Sequence, residues 1–419
     1  MISRIEARLY RCLEHMEIDI PQFAVLVGAN GAGKSTLLDI PRLLNDCLRQ
    51  RDITHAFTRR QQDRPTRCSN LRELLFCGRG NDFSFAVEAK LPDTIADRIH
   101  RNKPNQNTIS DTIRYELLLE VFNESQIKIK NEYLYTYSSQ KAIPRNGSGI
   151  YGESPHREWF FIISRENGGD VGFRSETQKG ARSRKTKIEP SVLALPRVLF
   201  ESKEDFPSAA WFHDLIAQHY LFYQPDLISL QTASPPGASE SLLPNAQNLP
   251  QFVFKLQRDT KRFELWQEHV KTALPNIEKI EVLEREEDHH YYFRIKYQGG
   301  YEVTSSGLSE GTLRILALTV LPYLTVLPDI VFLEEPENGI HPQAIEAVLQ
   351  SLSSAYESQI LISSHSPIVL ANVSLEQIIC ARLNKVGAAI IIPGHEHPQL
   401  KEWKGRIDLG ALFAAGVLG

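Results

Sequence analysis

Residues 23–40 read FAVLVGANGAGKSTLLDI. Phe23–Val27 is a short apolar run that suits a buried strand. Gly28–Ser35 then matches GxxxxGK[ST], and Leu37, Leu38, Leu43 and Leu44 recur at helical spacing. Glycines in such a loop let backbone N–H groups turn inward around phosphate oxygens, and the helix that follows adds its positive N-terminal end. Lys34 is expected to reach the β- and γ-phosphates, and the Ser35 hydroxyl to ligate Mg²⁺. The residues expected at this site are Gly28, Asn30, Gly31, Ala32, Gly33, Lys34, Ser35 and Thr36. The alternative is a glycine-rich turn that binds nothing. Strand, loop, Lys-Ser-Thr and helix in the right order weigh against it and for a nucleoside triphosphate.

A second stretch, IVFLEEPENGIHP at 330–342, places two glutamates side by side where another buried-strand run stops. Adjacent carboxylates repel and are costly to bury without a cation or proton. In proteins with a phosphate loop, a neighbouring strand commonly ends in a carboxylate that holds Mg²⁺, and the next residue polarises the attacking water. Glu334 takes the magnesium role and Glu335 the general-base role. The magnesium carboxylate is usually Asp, so Glu334 is one methylene longer than the common pattern.

Two further stretches narrow the class. In SSGLSEGTLRILALTVLPYL, 305–324, Ser309 is a natural N-cap before a helix whose apolar face runs Leu313, Leu316, Val320. Gly311 in its first turn keeps the helix end open to close approach. ILISSHSPIVL, 360–370, is another buried-strand run ending in Ser364-His365, far enough from Glu335 for a crossover helix at 341–356 and a parallel strand.

LSEGTLR resembles the LSGGQ signature of ABC-type ATPases, and the set EEPENGIHP, LSEGTLR and SSHSP is most similar to stand-alone AAA-domain ATPases of abortive-infection and toxin–antitoxin systems, within the SMC and OLD-like branch. That resemblance covers roughly 1–50 and 300–380, and PNAQNLPQFVFKL, 244–256, adds a faint match. It implies that Ser309, Glu310 and Gly311 bind the γ-phosphate held by a second subunit. It also implies that His365 contacts the γ-phosphate and orients the water, and that Glu337–His341 form the D-loop at the dimer interface. ARLYRCLEHMEIDI, 7–20, resembles that branch's first strand, with Arg11 where a phosphate-sensing arginine often falls. The Q-loop glutamine has no recognisable motif; Gln126 and Gln140 fit by position alone.

The long stretch between Lys34 and Ser309 argues against a transporter subunit and for an inserted domain. Residues 83–90 and 113–137 alternate like antiparallel strands, 205–272 read as helical, and 277–303 read as hairpins turning at EREEDHH and YQGG. No sustained heptads or CxxC hook occur there, which argues against DNA-tethering SMC function. The stretch after His365 is too short for the metal-binding nuclease domain of OLD-like proteins, so any nuclease is expected on another chain. A net charge of −4 gives no global pull toward nucleic acid. Local basic stretches, Arg174–Lys187 and Arg51–Arg67, read as solvated hairpins or loops or as a phosphate-backbone grip. His289-His290 sit on opposite strand faces, which disfavours a metal. Five scattered cysteines fit reduced thiols, and neither the N-terminus nor the apolar tail at 409–419 has the length or pattern of a signal or membrane segment. A cytoplasmic location is expected.

The expected fold is α/β: an ABC-type P-loop NTPase core with an antiparallel β-layer and a mixed α/β insertion. Its expected parts are residues 1–64 and 301–419 for the core and 65–300 for the layer and insertion. The expected activity is ATP hydrolysis with Mg²⁺ in a homodimer or higher even-numbered oligomer. The first expected use is control of a separately encoded nuclease or toxin in defence against phage. A DNA-repair or DNA-end-sensing ATPase, with DNA as partner, and a scaffold assembled by ATP without turnover are the alternatives.

Overall fold

The computed structural model describes residues 1–61, 65–101, 109–141, 159–178, 180–201, 203–237, 239, 241–400 and 409–414. The chain divides into two units. One comprises Met1–Ile20, Gly31–His219 and Arg382–Ile392, the other Pro21–Asn30, Tyr220–Ala381 and Pro393–Gly419.

The first unit is built on an eight-stranded antiparallel sheet, with strands numbered along the chain. These are β1 (Ile2–Tyr10), β2 (Leu13–Asp19), β4 (Asp82–Lys90), β5 (Thr112–Phe122), β6 (Gln126–Tyr137), β7 (Phe160–Arg165), β8 (Val171–Phe173) and β9 (Arg184–Thr186). Their order is β2-β1-β4-β5-β6-β7-β8-β9. The alternating pattern of these segments does not mark a wet face. On the polar side Arg114 donates to Glu6, Glu88 and Glu116, and Arg4 donates to Glu6, with all five residues at least nine-tenths buried. Each carboxylate taken out of water is met by a guanidinium, which is the condition for burying such charges. The opposite side is aromatic, with Tyr10, Phe83 and Phe85 edge-on or tilted to one another. The helix Lys34–Arg49 also lies in this unit. Its Asn45 and Arg49 side chains donate to the carbonyls of Ile216 and Ala217 at the end of the helix Pro207–Ala217.

In the second unit β3 (Phe23–Val27), β10 (Tyr220–Phe222), β14 (Ile330–Glu334), β15 (Gln359–Ser364) and β16 (Ile378–Leu383) run parallel. The sheet order in this unit is β10-β14-β15-β3-β16. β3 is buried at every residue, as its unbroken apolar run requires of a strand covered on both faces. The crossover helix spans Pro342–Ser353, within the expected 341–356. A three-stranded meander, β11 (Ile277–Glu284), β12 (Tyr291–Tyr297) and β13 (Glu302–Thr304), turns where the hairpins were expected.

One segment departs from its helical reading. Within WFHDLIAQHYLFY the helix stops at Ala217, and Tyr220–Phe222 becomes the edge strand beside β14. Aromatic and β-favouring residues outweigh helical periodicity there because Phe222 stacks on Phe332 of β14, with ring planes 9° apart.

Candidate functional site

β3 lies between β15 and β16, and β14 lies on the far side of β15, so three parallel strands deliver their C-terminal ends to one edge of the sheet. Val27 stands in register with Ser364, and Glu334 with Ser363. Gly28 leaves β3 with φ 148°, and a Cβ there would lie 2.0 Å from the Ala381 carbonyl oxygen, so the strand exit has room only for glycine. Asn30 and Gly31 are exposed, and Ala32, Gly33 and Lys34 are buried. Gly33, at φ 98°, is the N-cap of the helix Lys34–Arg49, without a side-chain cap and with no acid in the first turn. An uncapped helix start whose first turn carries Lys34, an exposed Ser35 and Thr36 is chemically suited to a phosphate. Cys12 lies beside this turn, its Sγ 3.6 Å from Thr36 Oγ1.

Glu335 has a left-handed backbone, φ 45°, while its N–H still donates to the Ser363 carbonyl. Its side chain, one-third exposed, meets His365, with Oε1 3.0 Å from Nδ1. Asn338 Nδ2 donates to the other carboxylate oxygen at 2.9 Å. The pair picked out by sequence is thus brought into direct contact, and Glu334, half-buried, ends the adjoining strand. Sequence reasoning gave Ser364 and Glu337 no individual part, yet the fully buried Ser364 hydroxyl donates to Glu337 Oε1 at 2.5 Å. Burial pushes the Glu337 carboxyl up from its ordinary range, opposed by the Ser364 bond. A serine ending a strand buried throughout, just before His365, was the available signal.

The helix Glu310–Thr319 starts as expected. Ser309 Oγ accepts from the Thr312 N–H, and Leu313, Leu316 and Val320 are fully buried. Arg314 Nε donates to Glu310 Oε1 at 2.9 Å. Gly311 faces protein: a Cβ would lie 2.8 Å from the Gly339 carbonyl oxygen, so the helix's first turn rests on the Glu337–Ile340 turn of the same chain.

Arg11 is not on a strand but at the tight turn between β1 and β2, φ 51°, with Nη2 donating to the Arg67 carbonyl at 2.7 Å. Gln126 opens β6 and Gln140 lies in a short 3₁₀ turn, both exposed. The basic stretch at 174–187 forms the β8–β9 hairpin, with the Arg174 guanidinium over the Phe160 ring, and its Lys179 lies outside the described residues. So do residues 62–64 of the other basic stretch. His289 and His290 lie not on a strand, as expected, but in the connection between β11 and β12, and each faces an acidic neighbour, Glu284 and Asp288.

The family match and the fold place the chain among P-loop ATPases of the AAA-domain kind, with a fold similar to that of SMC heads. The chain belongs to the family described as "AAA domain, putative AbiEii toxin, Type IV TA system", whose model matches residues 23–371. Among solved structures it is similar to an Smc head bound to the C-winged helix domain of ScpA, with TM-score 0.52, 13% identity, and 93% of this chain and 96% of that chain covered. It is also similar to the Pyrococcus furiosus Smc head domain with an extended coiled coil bound to the C-terminal domain of ScpA, with TM-score 0.50, 12% identity, and 93% and 95% covered. At such identities the likeness is one of fold. No curated protein matches the chain in sequence. Among the described residues no helix is long and apolar enough to cross a membrane.

Proposed function

We propose that the protein binds and hydrolyses ATP with Mg²⁺, pairs with a second copy around the nucleotides, and through that state controls a separately encoded nuclease or toxin in defence against phage. The contact that carries the hydrolytic part is Glu335 Oε1 to His365 Nδ1, 3.0 Å, at the ends of adjacent parallel strands. Its form suits a base and a phosphate-facing histidine that keep each other oriented until substrate arrives.

In this reading the loop Gly28–Thr36 holds the phosphates, with Lys34 at the β- and γ-phosphates, and Arg11 senses phosphate. Ser35 and Glu334 would hold Mg²⁺, which when bound neutralises charge on the phosphate oxygens. Glu335 takes the proton of a water attacking in line, and His365 contacts the γ-phosphate and aligns that water. Ser309, Glu310 and Gly311 belong to the surface offered to the partner's nucleotide. The family's toxin–antitoxin description supports the effector role.

The test is phosphate release by the purified chain, alone and with Glu335→Gln. The variant is expected to bind ATP as the wild type does and to turn over roughly 10²–10⁴-fold more slowly, the scale of a lost general base. Wild-type turnover in Glu335→Gln removes Glu335 from the chemistry.

A further inference from the structure

The loops after β14 and β15 are joined twice. One link is Glu335 to His365, and the other is Ser364 Oγ to Glu337 Oε1 at 2.5 Å. Under the proposed mechanism the first link must loosen, because Glu335 has to turn to a water and His365 to a phosphate. The second link has no such duty. Ser364 is the last residue of β15 and fully buried, and its Oγ also accepts from the Ser366 N–H at 3.0 Å. Its hydroxyl therefore fastens the backbone on both sides of His365. Glu337 is itself held between two turns, Asn338 N–H to Glu335 O and Ile340 N–H to Glu337 O. Its Oε2 is buried with no partner among the described residues. An anion with an unmet buried oxygen is costly, and burial shifts this carboxyl toward its neutral form, which glutamine imitates.

We propose that Glu337 is a positioning residue for hydrolysis: through Ser364 Oγ it fixes the backbone that carries His365 opposite Glu335. The proposal rests on the ATPase reading above, and its test separates the two. In the full chain, Glu337→Ala and Ser364→Ala are expected to lower kcat about ten- to a hundredfold, the scale of a misplaced catalytic group. ATP affinity should stay within about twofold, and the double variant should be no slower than the slower single one. Glu337→Gln keeps an oxygen for the Ser364 hydroxyl and should stay within about threefold of wild type. The His365 ring ¹⁵N signal, assigned by its loss in His365→Gln, should move in both alanine variants and not in Glu337→Gln. Ser364→Cys, of similar size with a weaker donor, replaces Ser364→Ala if that variant does not fold.

An unmoved ring signal or wild-type kcat in the alanine variants overturns the proposal. So does a fall in ATP affinity and melting temperature that parallels kcat, which marks a merely structural contact. A wild-type chain without turnover overturns the ATPase reading instead, and the ring signal then decides the link on its own.

Discussion

Gly311→Ala is a sharp test of how the helix Glu310–Thr319 is seated. A Cβ on this residue would lie 2.8 Å from the Gly339 carbonyl oxygen, whereas ordinary contact begins at about 3.4 Å. One of the two backbones must give way by about half an ångström, and both belong to ordered turns: the capped start of the helix Glu310–Thr319 and the Glu337–Ile340 turn. Overpacking of this kind costs about 1–3 kcal/mol. Alanine in place of a helical glycine returns about 1 kcal/mol, leaving a net cost of about 0–2 kcal/mol. The overpacking strain of about 1–3 kcal/mol corresponds to a factor of about 5–150, and it falls on the turn that follows Glu335. Expected, then, are a melting temperature equal to or slightly below wild type, unchanged affinity for a fluorescent ATP analogue, and ATP turnover reduced about 5–150-fold. Calorimetry, analogue titration and phosphate release read the three quantities on one preparation. Gly311→Ala with wild-type turnover and a higher melting temperature would show that helix propensity prevails and the turn yields freely. The helix–loop seat would then not be rigid.

Two other outcomes follow from particular contacts. Ser309→Arg removes the cap that accepts from Thr312 and places a bulky cation at the exposed helix start; monomer ATP binding should persist while ATP-driven pairing in sedimentation disappears. Persistent ATP-dependent dimers in that variant would refute the signature role. Burial pushes the Glu6 carboxyl up, but the bonds from Arg114 and then Arg4 outweigh burial and hold it at about 2, against 4.5 unperturbed. A depressed carboxylate stabilises above its unfolded value and loses that contribution as pH falls toward its folded value, here about 3 kcal/mol between pH 4.5 and 2. Urea melts across that window should therefore decline more steeply for wild type than for Glu6→Gln. Parallel declines would place the acid sensitivity elsewhere.

What the sequence made legible is what short-range geometry dictates. The loop after β3 is readable because glycine is the residue that fits where Ala381 crowds Gly28, and β14 because a strand covered on both faces carries an apolar run, Ile330–Leu333. The polar face of the eight-stranded sheet was not legible. Alternation looks the same whether its charged side meets water or, like Arg114 among Glu6, Glu88 and Glu116, is buried against itself. The contact of Gly311 with the Gly339 carbonyl was not legible either, because a small residue in a helix's first turn carries no record of its neighbour, and Gly339 is brought there only by the fold. The same holds for Ser364 and Glu337, whose bond depends on the pairing of β14 with β15.

The adjacent glutamates show where local preference and fold part company. A residue before proline is biased toward extended backbone, and a non-glycine residue at positive φ costs about 1–2 kcal/mol. Glu335 nevertheless precedes Pro336 with φ 45°. Continued as a strand, Glu334 and Glu335 would point to opposite faces, and neither would be steered toward His365. The left-handed residue instead reverses the chain while its N–H stays bonded to Ser363, and its carboxylate turns to the β15 side, between His365 and Asn338. Such strain persists only where surrounding contacts over-determine it. Here the ladder bond, the Asn338 turn and the Ser364–Glu337 link supply that determination, and the strained residue is the one assigned the proton transfer.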